Sequence, residues 1–144
     1  MYMYVFNILK AKGNETVTID PGESVTAALA RPQVWRPGAL RVLVGHRNIA
    51  GILSERDLVR AMNKHRESIF KKRVGELMTT RVVTCSPKDP VAAIMGMMTA
   101  QRFRHVPVVD DGKLVGIISI GDVVKSRIEE AEAEVDALRQ YIRL

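Results

Sequence analysis

The chain has 144 residues, 47% of them hydrophobic and 26% charged, with a formal net charge of +6 and a pI near 9.8. That is enough apolar material for the core of one compact domain or two tiny fused ones, and no apolar run approaches the length of a membrane span. The first residues lack the basic-then-apolar pattern of a secretory signal, and Cys85, the only cysteine, excludes an internal disulfide and fits a reducing cytoplasm.

Val5, Ile8 and Leu9 stand at helical spacing, so Tyr4 to Lys12 is expected to form a short leading helix ended by Gly13. A strand at Val17 to Ile19 follows, then a helix from about Ser24, a plausible cap, to Arg31. Leu40 to Val44 and Ile49 to Leu53 flank Gly45-His46-Arg47-Asn48 as strand, turn and strand, and Leu58 to Lys64 continues as a helix. The linker from His65 to Thr80 holds a short helix around Val74 to Met78. Val82 to Thr84 is the next predicted strand. Pro90 opens a helix carrying Val91, Ile94, Met95 and Met98 on one face. Val106 to Val109, the turn Asp110-Asp111-Gly112 and Leu114 to Ile118 form a hairpin, and a long helix runs from Ile120 nearly to the end.

That order contains one pattern twice. Val17-Thr18-Ile19-Asp20-Pro21 returns as Val83-Thr84-Cys85-Ser86-Pro87, and Gly51-Ile52-Leu53-Ser54-Glu55-Arg56-Asp57 returns as Gly116-Ile117-Ile118-Ser119-Ile120-Gly121-Asp122. Each unit reads as strand, helix, strand, strand, helix. A unit of roughly 60 residues rarely stabilises a core alone, so the two are expected to fold against each other. The expected fold class is α/β (α+β): two pseudo-symmetric β-α-β-β-α units packed sheet to sheet, with a long C-terminal helix. The boundaries are 1–66 for the leading helix and first unit, 67–81 for the linker, 82–128 for the second unit and 129–144 for a helical extension. In the last helix Val124, Ile128, Ala131, Val135, Leu138 and Ile142 are spaced 4, 3, 4, 3, 4, a coiled-coil seam in need of a partner. A second subunit is the expected one.

Ser54 with Asp57, and Ser119 with Asp122, have the form of an acidic capping box before an apolar helix, and capping alone would explain both. A helix start is also a natural anion site. An Asp there can accept hydrogen bonds from both ribose hydroxyls, while Ser and the free amides hold a phosphate. The recurrence of the motif after a Gly-Ile-apolar strand favours nucleotide contact, and one residue can do both. Cys85 reads as a small buried hydrophobe, His46 and His65 as solvated, and no Cys/His pair has metal-ligand spacing.

With both copies in register, the chain resembles a tandem pair of CBS domains (a Bateman module) over roughly Lys10 to Ile128, and as a whole resembles small stand-alone bacterial CBS-pair proteins. The residues that carry the likeness are Thr18 to Pro21, Thr84 to Pro87, Gly38-Ala39-Leu40, His105-Val106-Pro107-Val108-Val109 and the two Gly-Ile-x-Ser-x-x-Asp motifs. The resemblance implies a non-catalytic signal-transduction module that binds adenosine ligands: AMP foremost, with ADP, ATP or NAD(H) as alternatives. It implies one cleft combining Ser54, Arg56 and Asp57 with Thr84, Cys85, Arg104 and His105, and another combining Ser119, Gly121 and Asp122 with Thr18, Ile19, Gly38 and Ala39. The implied partners are a second copy and an unidentified effector protein, with no membrane.

The first repeat departs from the pattern. Pro32 and Pro37 should stop its helix near Arg31, Trp35 lies between them as core or as a cover for the cleft, and Arg41 replaces the proline matched by Pro107. The Asp122 cleft is therefore expected to bind more weakly or differently. The alternative function is a nucleic-acid-binding regulator using the basic surface. Lys71-Lys72-Arg73 lacks the interleaved aromatics of a base-stacking platform, and no helix-turn-helix stands out. An enzyme would need a nucleophile–base pair, a metal cluster or a Walker loop, none of which the sequence offers.

Overall fold

The structure is a computed structural model that describes residues 2–13, 18–30, 41–45 and 48–143, with backbone alone for 41–45. Helix α1 (Val5–Lys12) leads, followed by β1 (Thr18–Ile19), α2 (Val25–Leu29), β2 (Arg41–Gly45), β3 (Asn48–Leu53) and α3 (Glu55–His65). A 3-10 turn (Arg66–Lys71) and α4 (Val74–Leu77) lead to α5 (Val91–Gln101), β4 (His105–Asp110), β5 (Lys113–Ser119) and α6 (Ile120–Arg143). The helices begin and end where local chemistry dictates. Ser24 accepts the Ala27 N–H at 3.0 Å to cap α2. Gly13 ends α1 at a φ of 93°, and the two residues of the β4–β5 turn, Asp111 and Gly112, both take positive φ, as a tight type I′ hairpin requires.

The chain forms two compact units, one built on β1 to α4, the other on α1, α5, β4, β5 from Val115 onward, and α6. In the first, β1 runs parallel to β2 and β2 antiparallel to β3, in the order β1-β2-β3, with a register irregularity at Leu43/Val44. Ile19, Val25, Leu53, Leu58, Ile69 and Val74 close its core. In the second, β4 and β5 pair as a hairpin, and Val5, Leu9, Val91, Ile94, Val106 and Ile118 lie in its core.

The expected strand at Val82–Thr84 does not form. Pairing narrows to a single parallel bridge one residue later, where the Cys85 N–H reaches the Pro107 carbonyl at 3.0 Å and the Val109 N–H reaches the Cys85 carbonyl at 2.8 Å. Val83 and Thr84 are exposed, so they gain nothing by burial that would extend the ladder. The α2 helix is described to Leu29 with Ala30 as its cap. Val17, Arg31, Pro32, Trp35, Pro37, Gly38, Ala39, Leu40, His46 and Arg47 lie outside the described residues.

The sequence order also misassigns the leading helix. Its Val5, Ile8 and Leu9 enter the core of the second repeat, not the first. The backbone shows why. Val5 N–H bonds the Asp89 carbonyl at 2.9 Å and Phe6 N–H the Pro87 carbonyl at 3.0 Å, while in the other unit Val74 N–H bonds Glu23 at 2.9 Å and Gly75 N–H bonds Pro21 at 2.8 Å. Pro21/Pro87 and Glu23/Asp89 are equivalent positions of the two repeats, so α1 serves the second repeat as α4 serves the first. Each unit is completed by the helix that precedes the other in the chain.

The recurring glycines of the Gly-Ile-x-Ser motif make room for these helices. A Cβ on Gly51 would stand 2.6 Å from Met78 Sδ and 2.7 Å from the Thr79 carbonyl oxygen, and one on Gly116 would stand 2.5 Å from Leu9 Cδ2.

Candidate functional site

Strand β3 ends at Leu53, and Ser54, with φ −104° and ψ 165°, turns the chain into α3. Ser54 Oγ accepts the Asp57 N–H at 3.2 Å, and Asp57 Oδ2 accepts from both the Ser54 N–H and the Ser54 hydroxyl at 3.0 Å. This is a closed capping box in which two free helix-start amides are satisfied reciprocally. The other carboxylate oxygen, Oδ1, takes a long 3.4 Å contact from the Thr79 hydroxyl. Arg56 is exposed on the same first turn.

The second copy begins alike and ends differently. Ser119 N–H donates to Asp122 Oδ2 at 2.8 Å, and Asp122 N–H donates to Ser119 Oγ at 3.2 Å. The same Oδ2 holds Lys12 Nζ of α1 at 2.6 Å. Burial pushes the Asp122 carboxyl up. The hydrogen bond from Lys12, the bonds from Ser119 and the lysine's positive charge outweigh that, so the group sits below the ordinary aspartate value. Beside the pair, a groove of about 140 Å3 between α1 and α6 is lined by Asn7, Ala11, Lys12, Asp122, Lys125 and Glu129, among others. Gly121 is exposed in the first turn of α6, and the nearest atom a Cβ there would meet is Ser119 Oγ at 3.6 Å, an ordinary contact.

The other predicted residues fall around these helix starts. Arg104 is exposed, and its carbonyl accepts the Ile120 N–H at 2.8 Å, so the beginning of β4 adjoins the start of α6. His105 is half-buried and Pro107 buried on β4. Thr18 and Thr84 are exposed, each next to a buried residue, Ile19 and Cys85. Within its own unit, then, Asp57 stands with Ser54 and Arg56, while Asp122 stands with Ser119, Gly121 and the backbone of Arg104. Burial, with the nearby Asp89 charge, pushes the Cys85 thiol up to about 12, so it stays protonated at neutral pH and is no nucleophile. Among the described residues no group of three or more His, Cys, Asp or Glu side chains could hold a metal ion, and no helix is long and apolar enough to cross a membrane.

Two participants escaped the sequence. Lys12 looks like an ordinary basic residue in the last turn of a helix, and nothing in its neighbours points to an aspartate on another element. Thr79 follows a short helix in a linker. The usable signal was the recurring glycine, whose missing Cβ marks a surface on which something must pack closely.

The family model for the CBS domain matches residues 74–129. A CBS-domain-containing protein from Agrobacterium tumefaciens superposes with a TM-score of 0.78 at 38% identity, covering 86% of this chain and 92% of that one. The chain belongs to the CBS-domain proteins and has the fold of their tandem pairs. A mitochondrial CBS-domain-containing protein of Arabidopsis thaliana is 37% identical over 112 residues; the alignment spans 76% of this chain and only 52% of that relative, so the chain matches about half of its length. Several matched structures hold adenosine ligands, and two serve as examples. One is a CBS-domain pair in complex with 5′-methylthioadenosine and S-adenosylmethionine (25% identity, TM-score 0.74, 92% and 99% coverage). The other is the cytosolic domain of the Mg2+ channel MgtE in complex with ATP (29% identity, TM-score 0.65, 78% and 45% coverage).

Proposed function

We propose that this chain is a regulatory module without catalysis of its own, which binds an adenosine nucleotide at its two Ser-x-x-Asp helix starts. The observation that carries this reading is the repetition of one strand–Ser–helix–Asp geometry in both units, each leaving carboxylate Oδ1 outside the cap. Such an oxygen accepts hydrogen bonds from ribose hydroxyls. The remaining first-turn amides, with the positive end of the helix dipole, favour a phosphate. The adenosine ligands of the matched CBS pairs support the ligand class. In this reading the ligands engage Ser54, Arg56 and Asp57 at one helix start and Ser119, Gly121 and Asp122 at the other, and Thr18, Gly38, Thr84, Arg104, His105 and Pro107 are the further contacts that the family resemblance implies. AMP is the foremost ligand, with ADP, ATP and NAD(H) behind it. The module works in the cytoplasm, and an effector protein reads the ligand's presence. That requires the ligand to bind two states of the module with different affinity, since equal affinity shifts nothing.

Thermal unfolding with and without nucleotide tests the reading. A ligand at 100 times its Kd should add about 2.7 kcal/mol of stability, and mass spectrometry of the denatured protein should find any adenosine compound that co-purifies. No shift in Tm with millimolar AMP, ATP, NAD(H) or S-adenosylmethionine overturns the proposal.

A further inference from the structure

Helix α6 has two opposed faces. Val123, Ser126 and Glu130 are buried on its own unit, Glu130 accepting the Met3 N–H at 3.3 Å and Arg127 at 2.8 Å. About 130° around the helix, at about 100° per residue, lies the apolar seam. Its large members are exposed: Val124 38%, Ile128 53%, Val135 45%, Leu138 57% and Ile142 79%. Soluble proteins rarely leave a contiguous stripe of this kind in water.

The residues beside the seam say what covers it. The spacing makes Ile128, Val135 and Ile142 the a positions and Val124, Ala131 and Leu138 the d positions of a heptad. The flanking e positions are then Lys125, Glu132 and Arg139, and the charged g positions are Arg127 and Glu134. In a parallel, in-register pair each g residue faces the e residue five places on in the other helix. That sets Arg127 against Glu132 and Glu134 against Arg139, opposite charges in every case, and symmetry repeats both. In the antiparallel pairing that also aligns the seam, Lys125 faces Arg139, Glu132 faces Glu132 and Glu134 faces Glu134, like charges throughout. The β-branched residues at a favour two strands.

We propose that α6 is a dimerisation helix whose seam is covered by α6 of a second copy, parallel and in register, with orientation set by the Glu134–Arg139 and Arg127–Glu132 pairs. An isolated helix of this length is marginal, but here its first turns are held on the folded unit, so the seam is preformed. A parallel pair has a twofold axis along the coil and closes as a dimer with no free seam. Arg127 already spans to Glu130, so the Glu134–Arg139 pairs carry the test.

Leu138→Cys in the 144-residue chain should form an intermolecular disulfide on mild oxidation. Parallel register puts the two thiols face to face, whereas antiparallel pairing would hold them on the order of 15 Å apart, ten residues at 1.5 Å each. By sedimentation, Glu134→Arg and Arg139→Glu should each raise the dimer Kd several-fold, and the double variant should restore it. A monomeric wild type at micromolar concentration overturns the proposal, as does a dimer that leaves Leu138→Cys uncrosslinked. Single charge reversals without effect, or a double variant no better than the singles, overturn the orientation mechanism.

Discussion

Asp57 and Asp122 occupy the same place in the two repeats, make the same capping box and meet different partners. Asp57 receives a hydroxyl from Thr79 at 3.4 Å, and Asp122 an ammonium from Lys12 at 2.6 Å. The difference comes from the two exchanged helices. Helix α4 stops at Leu77, and the chain then straightens, so that Thr79 pairs with Ile52 at the edge of β3 and its hydroxyl reaches Asp57. Helix α1 continues to Lys12, which lands on Asp122. One site therefore has a weak neutral donor on the Asp57 oxygen outside the cap, Oδ1, and the other has a cation on the Asp122 oxygen inside the cap, Oδ2. Two copies of one motif are not two copies of one site. What the preceding helix delivers decides how much of each aspartate a ligand can use.

The largest effect that sharpens this contrast is on ligand binding. Asp57→Ala should cost its own site about 1.5–3 kcal/mol of ribose recognition, the range for losing a charged hydrogen-bond acceptor. Asp122→Ala should cost its site less. Lys12, released from Asp122, becomes a counter-charge for phosphate, which offsets part of the loss. Titration calorimetry of AMP into each variant measures both losses. Two identical independent sites in the wild type, with equal losses in the variants, would break the comparison.

The two glycines that admit the exchanged helices offer the next test, on stability. An added methyl at Gly51 meets the Thr79 backbone as well as the end of Met78, and backbone paired on both sides with Ile52 cannot step aside. At Gly116 it meets only the end of the Leu9 side chain, which can turn. Gly51→Ala should therefore destabilise by about 1–3 kcal/mol, the range for overpacking, and Gly116→Ala by less. Urea unfolding of the two variants should preserve that order, and a reversal of it contradicts the packing described here.

Much of this was legible in the chain. The repeats, the hairpin with Asp111-Gly112 at its turn, the Ser54 and Ser119 caps and the buried Cys85 all rest on local chemistry: periodicity, turn conformation or an amide three residues away. What failed depended on distance. Val82–Thr84 has the β-branched composition of a strand, yet lies where pairing is available only to Cys85. Sequence order puts the leading helix with the repeat that follows it and says nothing of an exchange. Lys12 and Asp122 are 110 residues apart, and no spacing rule connects them. The exposed seam of α6 was visible as a pattern, but that the helix turns a different face to its own unit could be seen only in the burial of Val123, Ser126 and Glu130.

The smallest effect isolates Lys12. The Lys12–Asp122 pair is partly exposed, 40% and 25% at the two side chains, so Lys12→Met should lower stability at neutral pH by no more than about 1 kcal/mol. Its signature is in the pH dependence. The Asp122 carboxyl is held below its ordinary value, so the stability it contributes is fully present above the unfolded-state pKa and drains away as pH falls through the folded one. Removing Lys12 takes away both its hydrogen bond and its charge but leaves the burial that pushes the carboxyl up. The Asp122 carboxyl should then titrate at higher pH by NMR, and the difference between wild type and variant should vanish in strong acid. Binding should split by ligand charge. Uncharged adenosine should bind the variant much as it binds the wild type, because Lys12 holds Oδ2 and the ribose takes Oδ1, while AMP should bind it more weakly because its phosphate loses a nearby cation. An Asp122 titration unmoved by Lys12→Met would show that the ion pair does not set the difference between the two sites.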